Sequence, residues 1–145
     1  MIDALLISAA LVFTRPAEQP ICNNTLATAI YDAGFRGKNV REAWAIGMRE
    51  SGGRPDAVSA TGDYGVFQFN KAAHGGQKWW DTALLLTRKY NIHVAFVMSK
   101  GGRWWGPWDL SGSGQHLGHY TPSSVGAKYQ YWYNRFPDKC KGLTK

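Results

Sequence analysis

The stretch "REAWAIGMRESGGRPDAVSATGDYGVFQFN", residues 41–70, decides what kind of fold this chain adopts. Its first part places apolar and small residues three and four positions apart, which is the period of an amphipathic helix. That pattern breaks at Glu50, because Ser-Gly-Gly follows it directly. Glu50 lies seven residues after Ala43 and three after Gly47. We therefore expect Glu50 on the buried face of the helix end, beside two small residues.

A carboxylate in that position has a definite chemical use. Burial removes water from the carboxyl group and favours its protonated form, which is the form that a general acid needs. The alternative is a surface role, in which Glu50 turns outward and pairs with Arg49 or Arg54. Helical periodicity alone leaves both interpretations open.

A short β-hairpin is predicted directly after this helix. Residues 51–63 are rich in the glycine, proline, serine and aspartate residues that are typical of turns. Residues 64–70, "YGVFQFN", then alternate, with Tyr64, Gln68 and Asn70 on the same side. A hairpin beside the helix end would direct Gln68 and Asn70 towards the glutamate.

The rest of the chain is predicted to be mostly helical, so the expected fold class is α+β, a helical domain with a small hairpin. Residues 24–33 form a short capped helix, and Asn39 is the expected N-cap of the helix that carries the glutamate. Asp81 is the expected cap of a further helix, and Asn91 caps another that runs to Lys100. This last helix is apolar nearly all round, so we expect it to be the central buried helix.

Composition places the chain among globular proteins of one domain. With 145 residues, of which 44% are hydrophobic and 19% charged, it can bury roughly two-thirds of its unfolded surface. The formal charge of +7 is uneven, because residues 1–70 carry a net −1 and residues 71–145 a net +8. The second part also holds six of the seven tryptophans. A basic, aromatic surface suits a large anionic partner, such as nucleic acid, a membrane surface or an anionic cell wall.

Residues 1–20 are expected to be a separate N-terminal segment, and residues 21–145 to be one domain. The apolar run in the segment reaches only about 20 Å as a helix, short of the ~30 Å of a bilayer core, so no membrane span is expected. Asp3 stands where a signal peptide is basic. The segment is therefore expected to form an extra helix or a docking arm.

Two cysteines, Cys22 and Cys140, lie near opposite ends of the chain. We expect them to form a disulfide; the alternative is two reduced thiols that pack as small apolar residues. The sequence has no CxxC pair and no Cys/His spacing of a zinc site. We therefore expect neither a metal nor a cofactor.

Two groups of motifs follow one another along the chain and together resemble soluble lytic transglycosylase-like domains of the lysozyme superfamily. Glu50-Ser51-Gly52-Gly53, followed by "GVFQFN" at 65–70, is similar to the Glu-Ser and Gly-Leu-Met-Gln-Ile-Asn signature of these domains. Residues 91–110, "NIHVAFVMSKGGRWWGPWDL", resemble the Asn-led helix and Gly-Gly-x-x-Trp-x-x-Trp ending of phage tail and endolysin versions. The resemblance covers residues 38–110, about half of the chain.

The resemblance implies an enzyme that cleaves peptidoglycan between N-acetylmuramic acid and N-acetylglucosamine, with Glu50 as general acid and then base. In a lytic transglycosylase the muramyl 6-hydroxyl closes a 1,6-anhydro ring and no second carboxylate is needed; we favour this mechanism. An inverting muramidase needs a second carboxylate about 6.5–9.5 Å away, and Asp63 is the local candidate. Asp63 is equally well placed to be the turn aspartate of the hairpin.

The resemblance also implies which residues bind the glycan. Ser51, Tyr64, Gln68 and Asn70 are the expected contacts around the glutamate, although the two amides could instead satisfy backbone groups of the hairpin. Sugar rings stack on indoles, so we expect Trp104, Trp105 and Trp108, or Trp79 and Trp80, to line the groove. Many members carry an Ala-Tyr-Asn-Ala-Gly motif whose tyrosine touches the glutamate. This chain lacks it, and Tyr129, Tyr131 and Tyr133 are candidate counterparts.

Three function classes remain at this stage: a peptidoglycan-cleaving enzyme, a cell-wall-binding module with a degenerate site, and a nucleic-acid-binding protein. The intact Glu50, Gln68 and Asn70 favour the enzyme, and no glycine-rich phosphate loop or basic recognition helix supports nucleic acid. Peptidoglycan strands are the expected partner, with phage tail or virion proteins docking on residues 1–20. The expected location is extracellular or in the cell wall. A phage-encoded enzyme is favoured over a secreted bacterial one, because that segment is not a clean leader.

Overall fold

The computed structural model describes residues 22–108 and 125–145. In chain order the elements are α1 (Thr25–Asp32), α2 (Lys38–Ser51), β1 (Asp63–Tyr64), β2 (Phe69–Asn70), α3 (Lys71–His74), α4 (Thr82–Leu85), α5 (Arg88–Met98), a 3₁₀ helix (Gly106–Trp108), α6 (Val125–Tyr133) and a C-terminal 3₁₀ helix (Asp138–Thr144). The predicted class, α+β and mostly α with a small hairpin, is confirmed. The predicted N-terminal segment, residues 1–20, lies outside the described residues.

Helix α2 is the centre of the fold. Every residue from Ala43 to Gly47 is buried, because α1, α6 and the C-terminal 3₁₀ helix all pack on it. A Cβ added to Gly47 would lie 3.1 Å from Cγ1 of Val66, so the small residue lets the hairpin loop approach the helix. The prediction that α5 is the central helix was wrong. Its core face is buried, but Val97 is 60% exposed.

One helix cap forms as predicted and two do not. Asp81 caps α4. Helix α1 is capped by Asn24, which was not predicted as a cap; its Oδ1 accepts a hydrogen bond from the Ala27 amide at 2.9 Å. Asn39 is not a cap, because α2 begins one residue earlier; its amide donates to the Gly101 carbonyl. Asn91 is not a cap either. Helix α5 begins at Arg88, which leaves Asn91 inside the helix and fully buried.

The amide of Asn91 holds the hairpin against the helices. Strands β1 and β2 pair antiparallel, and the Asn91 amide bonds to the chain that joins them and to the end of α4. Its Oδ1 accepts from the Phe67 amide at 2.9 Å, and its Nδ2 donates to the carbonyls of Tyr64 at 3.0 Å and Leu85 at 2.8 Å. A Cβ on Gly65 would lie 2.1 Å from Asn91 Nδ2. Only glycine fits at this position.

The predicted disulfide between Cys22 and Cys140 is present. It joins the residues just before α1 to the C-terminal 3₁₀ helix, and Cys140 is completely buried. The bond therefore closes most of the chain around α2. None of the helices that the structure describes is both long and apolar enough to cross a bilayer.

We expect the disulfide to make a large contribution to stability. The cysteines are separated by 118 residues, and in the chain-entropy account a loop of this length adds roughly 4–5 kcal/mol to the free energy of unfolding. Urea denaturation of the Cys22→Ser/Cys140→Ser variant should show a loss of that order, and reduced wild-type protein should match it. A loss below about 1 kcal/mol would contradict the prediction.

Replacing Gly65 tests the close packing of hairpin and helix. Gly65→Ala places a methyl group against the Asn91 amide and the Leu85 carbonyl, in a backbone with φ of +76°. Gly62→Ala is the matched control, because Gly62 has φ of +81° but a Cβ there would meet nothing closer than 3.9 Å. Overpacking a tight site costs about 1–3 kcal/mol, so the melting temperature of Gly65→Ala should lie clearly below that of Gly62→Ala. Equal losses would mean that only the backbone conformation matters.

Candidate functional site

Glu50 lies at the end of α2 in an ion pair with the residue before it. Nε and Nη2 of Arg49 both donate to Oε1 of Glu50, at 3.0 and 2.5 Å. The side chain of Arg49 is 2% exposed and that of Glu50 is 25% exposed. Glu50 is therefore only partly buried: Arg49 takes the most buried position at this helix end, and the pairing of Glu50 with Arg49 is the contact that the alternative interpretation predicted.

Arg49 also fixes the position of the 3₁₀ helix. Its Nη2 donates to the carbonyl of Trp108 at 2.9 Å. Its Nη1 has no hydrogen-bond partner within residues 22–108 and 125–145. A buried guanidinium needs a counter-charge, and Glu50 supplies it. The two hydrogen bonds occupy Oε1 of Glu50, and no described residue donates to Oε2.

The residue after the glutamate connects α2 to the hairpin loop. Ser51 is buried, and its Oγ lies 2.8 Å from the Val66 carbonyl and 3.1 Å from the Gly47 carbonyl. It also accepts from the Gly53 amide at 3.1 Å. These contacts place the loop between β1 and β2 directly beside the end of α2. Ser51 is thus engaged with protein groups in the described structure.

The amides of Gln68 and Asn70 bond within the hairpin region. Gln68, which has a φ of +52°, donates from Nε2 to the Gly65 carbonyl at 2.9 Å and the Ala57 carbonyl at 3.2 Å. Asn70 caps α3 through its Oδ1 and donates from Nδ2 to Asp63 at 2.8 Å. Of the two alternatives for these amides, the observed contacts are those of the structural one.

Asp63 is held by three side chains. Oδ2 accepts from the hydroxyls of Ser59 and Thr61, and Oδ1 accepts from the Asn70 amide. Partial burial raises the pKa of the Asp63 carboxyl, but these hydrogen bonds outweigh it and the pKa lies below its ordinary value. The carboxylate is therefore ionised and closes the turn before β1.

The three tryptophans of the 104–108 segment differ in exposure. Trp105 and Trp108 are 4% and 7% exposed, whereas Trp104 is 40% exposed. The indole of Trp105 stacks on Phe35, and the indole N–H of Trp108 donates to the Phe67 carbonyl at 2.9 Å. Trp105 and Trp108 are thus core residues, and only Trp104 presents a ring to solvent.

A second aromatic group lies on the hairpin side of the molecule. Trp80 packs edge-on against Tyr64, and Trp79 packs edge-on against Phe69, with ring centroids 5.6 and 5.7 Å apart. Trp79 and Trp80 are half-buried, and Trp79 also contacts His74. These rings extend the surface of β1 and β2, so partly exposed aromatic side chains lie here as well as at Trp104.

The face of α2 that carries Arg49 also carries a second carboxylate, Glu42. The indole N–H of Trp105 donates to Oε2 of Glu42 at 3.2 Å, and burial raises the pKa of this carboxyl despite that bond and the nearby Lys38. Tyr129 of α6 is buried close to both charges, and burial raises the pKa of its phenol far above the ordinary value. Glu42 was not predicted as part of the site. Its seven-residue spacing from Arg49 was the signal that both lie on one face.

Among the described residues, no group of three or more histidine, cysteine, aspartate or glutamate side chains is arranged to hold a metal ion. The chemistry available at the end of α2 is therefore that of one partly exposed carboxylate beside a buried guanidinium, with hydrogen-bonded turns and aromatic rings around it.

Asp63→Asn should change how stability depends on pH. Because the pKa of Asp63 is lowered by folding, its contribution is present above the ordinary value of 3.8 and is lost as the pH falls through the folded value. Melting temperatures of wild type and Asp63→Asn should differ most at neutral pH and converge in acid. Asp56→Asn, which removes an exposed carboxylate from the same loop, should show no such convergence. A constant difference at every pH would contradict the assignment.

Comparison with protein families gives one match. The model of the family described as "Lysozyme like domain" matches residues 26–110, which run from α1 past the first 3₁₀ helix. No curated protein and no solved structure matches the chain at the significance required. The matched range contains α2, the hairpin and α5, and so the whole of the site around Glu50. The chain therefore belongs to the lysozyme-like domain family.

Proposed function

We propose that this protein is a lytic transglycosylase, which cleaves the β-1,4 bond between N-acetylmuramic acid and N-acetylglucosamine with Glu50 as general acid and base. Membership of a lysozyme-like family, whose domains act on peptidoglycan, supports the substrate class. The observation that carries the mechanism is the position of Glu50. It is a partly exposed carboxylate whose Oε1 is held by Arg49 and whose other oxygen has no described donor.

The acid step fits this arrangement of oxygens. A protonated carboxyl group donates from one oxygen and still accepts at the other. Arg49 can therefore keep its bonds to Oε1 while the proton on Oε2 is transferred to the glycosidic oxygen. The C–O bond to the leaving sugar breaks as that proton arrives, and positive charge develops on the muramyl ring.

The base step uses the same group in its ionised form. The muramyl 6-hydroxyl attacks the anomeric carbon and gives its proton to Glu50, which closes the 1,6-anhydro ring and restores the carboxyl proton. The hydrogen bonds from Arg49 to Oε1 hold the carboxylate in the same position between the two steps. No water and no second carboxylate take part.

The contacts of Asp63 support this mechanism over an inverting muramidase. A general base must have an oxygen free to take a proton from water. Both oxygens of Asp63 already accept hydrogen bonds from Ser59, Thr61 and Asn70. We therefore assign Asp63 to the hairpin turn.

The proposed glycan contacts follow from exposure. Trp104 is exposed, and Tyr64, Trp79 and Trp80 are partly exposed beside the hairpin. We propose these rings as stacking surfaces for sugars. Ser51, Gln68, Asn70, Trp105 and Trp108 support the site by holding its backbone, since their polar groups bond to other protein groups.

The proposal includes action outside the cytosol. Disulfides form and persist in oxidising compartments, and the Cys22–Cys140 bond is therefore consistent with an extracellular or periplasmic enzyme. The expected phage origin and virion partners concern residues 1–20, which lie outside the described structure, and they have no further support.

Glu50→Gln is the direct test of catalysis. Loss of the acid and base should reduce the rate of clearing of purified cell walls by about 10²–10⁴-fold or more. Glu42→Gln is the matched control, because it makes the same chemical change on the same helix at a carboxylate bonded to Trp105. It should keep wild-type activity. Because Glu50→Gln removes the counter-charge of buried Arg49, circular dichroism must first show that this variant is folded.

Mass spectrometry of the digested walls identifies the reaction. Products with 1,6-anhydro-muramic ends are expected, and Asp63→Asn should form the same products within a few-fold of the wild-type rate. Reducing ends together with inactive Asp63→Asn would establish the muramidase instead. A folded Glu50→Gln that clears walls at the wild-type rate would remove Glu50 from the mechanism.

A further inference from the structure

An open cavity of about 880 Å³ lies between α1 and α5, next to the disulfide. Its walls are the chain from Cys22 to Thr25, the outer face of α1 as far as Ala33, and the first part of α5. No residue assigned above to the catalytic site or to the glycan surface lines it. The cavity is thus a separate feature of the molecule.

Its separation from Glu50 follows from how α1 packs. The inner face of α1 is buried, and a Cβ on Gly47 or Gly53 of the α2 end would touch Leu26 at 3.4 or 3.1 Å. The outer face, with Thr25 and Asp32, lines the cavity. Helix α1 therefore stands between the cavity and the end of α2.

Helix α5 is likewise shared between two surfaces. Asn91 points into the hairpin and is fully buried. Lys89 and His93, on either side of it in sequence, are exposed and line the cavity. The helix that fixes the hairpin thus also carries the basic wall of the cavity.

The charged groups of the cavity are mainly cationic. Arg88 and Lys89 of α5 are the cations, and Asp32 is the one carboxylate that lines the cavity among the described residues; the imidazole of His93 adds a hydrogen-bonding ring. Nε of Arg88 is buried and has no hydrogen-bond partner in the described part of the chain. The amide of Asn23 and the hydroxyl of Thr25 add neutral hydrogen-bonding groups at the rim. An anion with several oxygens matches this set of donors.

We propose that this cavity is an accessory binding site for an anionic group of the cell-wall polymer, either a phosphate of a phosphodiester chain or a carboxylate of a peptide stem. The choice of a wall polymer rests on the proposed function; the anionic character rests on the cavity itself. Held at this site, the polymer stays attached on the far side of α1 while glycan occupies the surface beside Glu50.

Binding to enzyme-free cell walls is measured by co-sedimentation. The protein used is the Glu50→Gln variant, because it does not digest the walls. A second substitution in this variant, Lys89→Glu, should weaken its binding to the walls at least about fivefold, because charge reversal replaces an attraction with a repulsion. Adding Asp32→Asn should strengthen it about twofold, because it removes the opposing carboxylate. Lys139→Glu, which makes the same charge change at an exposed lysine outside the cavity, should leave binding unchanged.

Two soluble probes identify the anion and keep the test independent of the Glu50 variant. Poly(glycerol phosphate) and a free stem peptide are titrated separately into wild-type protein and into Lys89→Glu, and the shifts of backbone amides near residues 23–32 and 88–93 are followed by NMR. Walls stripped of phosphodiester polymers with hydrofluoric acid serve as a parallel arm. A phosphate ligand predicts loss of binding to stripped walls; a carboxylate ligand predicts that binding is retained.

Two results overturn the inference. Equal weakening by Lys89→Glu and Lys139→Glu would mean that only net charge matters, and no effect of Lys89→Glu on walls or on either probe would mean that the cavity binds neither anion. Failure of the proposed function gives a different pattern, since wild-type protein would then release no anhydro-muropeptides whatever the cavity variants do. If wild-type protein releases anhydro-muropeptides and Lys89→Glu binds walls as well as its parent protein, the accessory site is contradicted and the proposed function is not.

Discussion

The fold around the site depends on one buried amide, that of Asn91. It makes three hydrogen bonds, one to the loop between β1 and β2, one to β1 and one to the end of α4. An apolar side chain of the same size would leave the buried Phe67 amide and Leu85 carbonyl without these partners, each at a cost of about 1–3 kcal/mol, and would also remove the bond to the partly buried Tyr64 carbonyl. The loop then contacts α2 through the Val66 carbonyl and the first 3₁₀ helix through the Phe67 carbonyl. This side chain therefore fixes the positions of β1, α4, α2 and the first 3₁₀ helix relative to α5.

A second constraint acts at the end of α2, where a guanidinium is buried. Arg49 is almost without solvent contact, so its charge must be compensated locally. Glu50 supplies the counter-charge and the Trp108 carbonyl accepts a further hydrogen bond. The same contacts that satisfy Arg49 also orient Glu50. Glu50 is thus a carboxylate on a rigid helix, held by a neighbour whose own position is fixed by packing, and the proposed catalytic role depends on such a fixed geometry.

The molecule presents two chemically different surfaces. One is formed by the end of α2, the hairpin and the nearby aromatic rings, and its polar side chains bond to backbone groups and to one another. The other is the cavity between α1 and α5, with its basic wall. Only α1 lies between them, and the disulfide holds the segment before α1 to the C-terminal 3₁₀ helix. An enzyme that works on a long anionic polymer gains from such a division, because attachment and cleavage can occur at different points of one strand.

Several features of this protein were determined by the sequence alone. The helical period before Glu50 and the glycines after it predicted the helix and the turn, because each depends on residues close in the chain. The local cap Asp81 was predicted for the same reason. The predicted hairpin is present, but residues 65–68 form its turn, inside the run 64–70 that was expected to alternate as a strand. The motif order was specific enough to indicate the lysozyme-like family, which the match over residues 26–110 confirms.

The tertiary structure alone decided which of those residues meet. Periodicity placed Glu50 inward, but neighbouring elements surround α2 and bury Arg49 in its place. Asn91 was expected at a helix start, but its amide instead forms hydrogen bonds with residues 24, 27 and 6 positions away in the chain. Trp105 and Trp108 could not be distinguished from Trp104 by sequence, because burial depends on Phe35 and Phe67, which lie far off in the chain. Local patterns specify elements, whereas exposure, charge pairing and cavities arise only where elements from distant parts of the chain pack together.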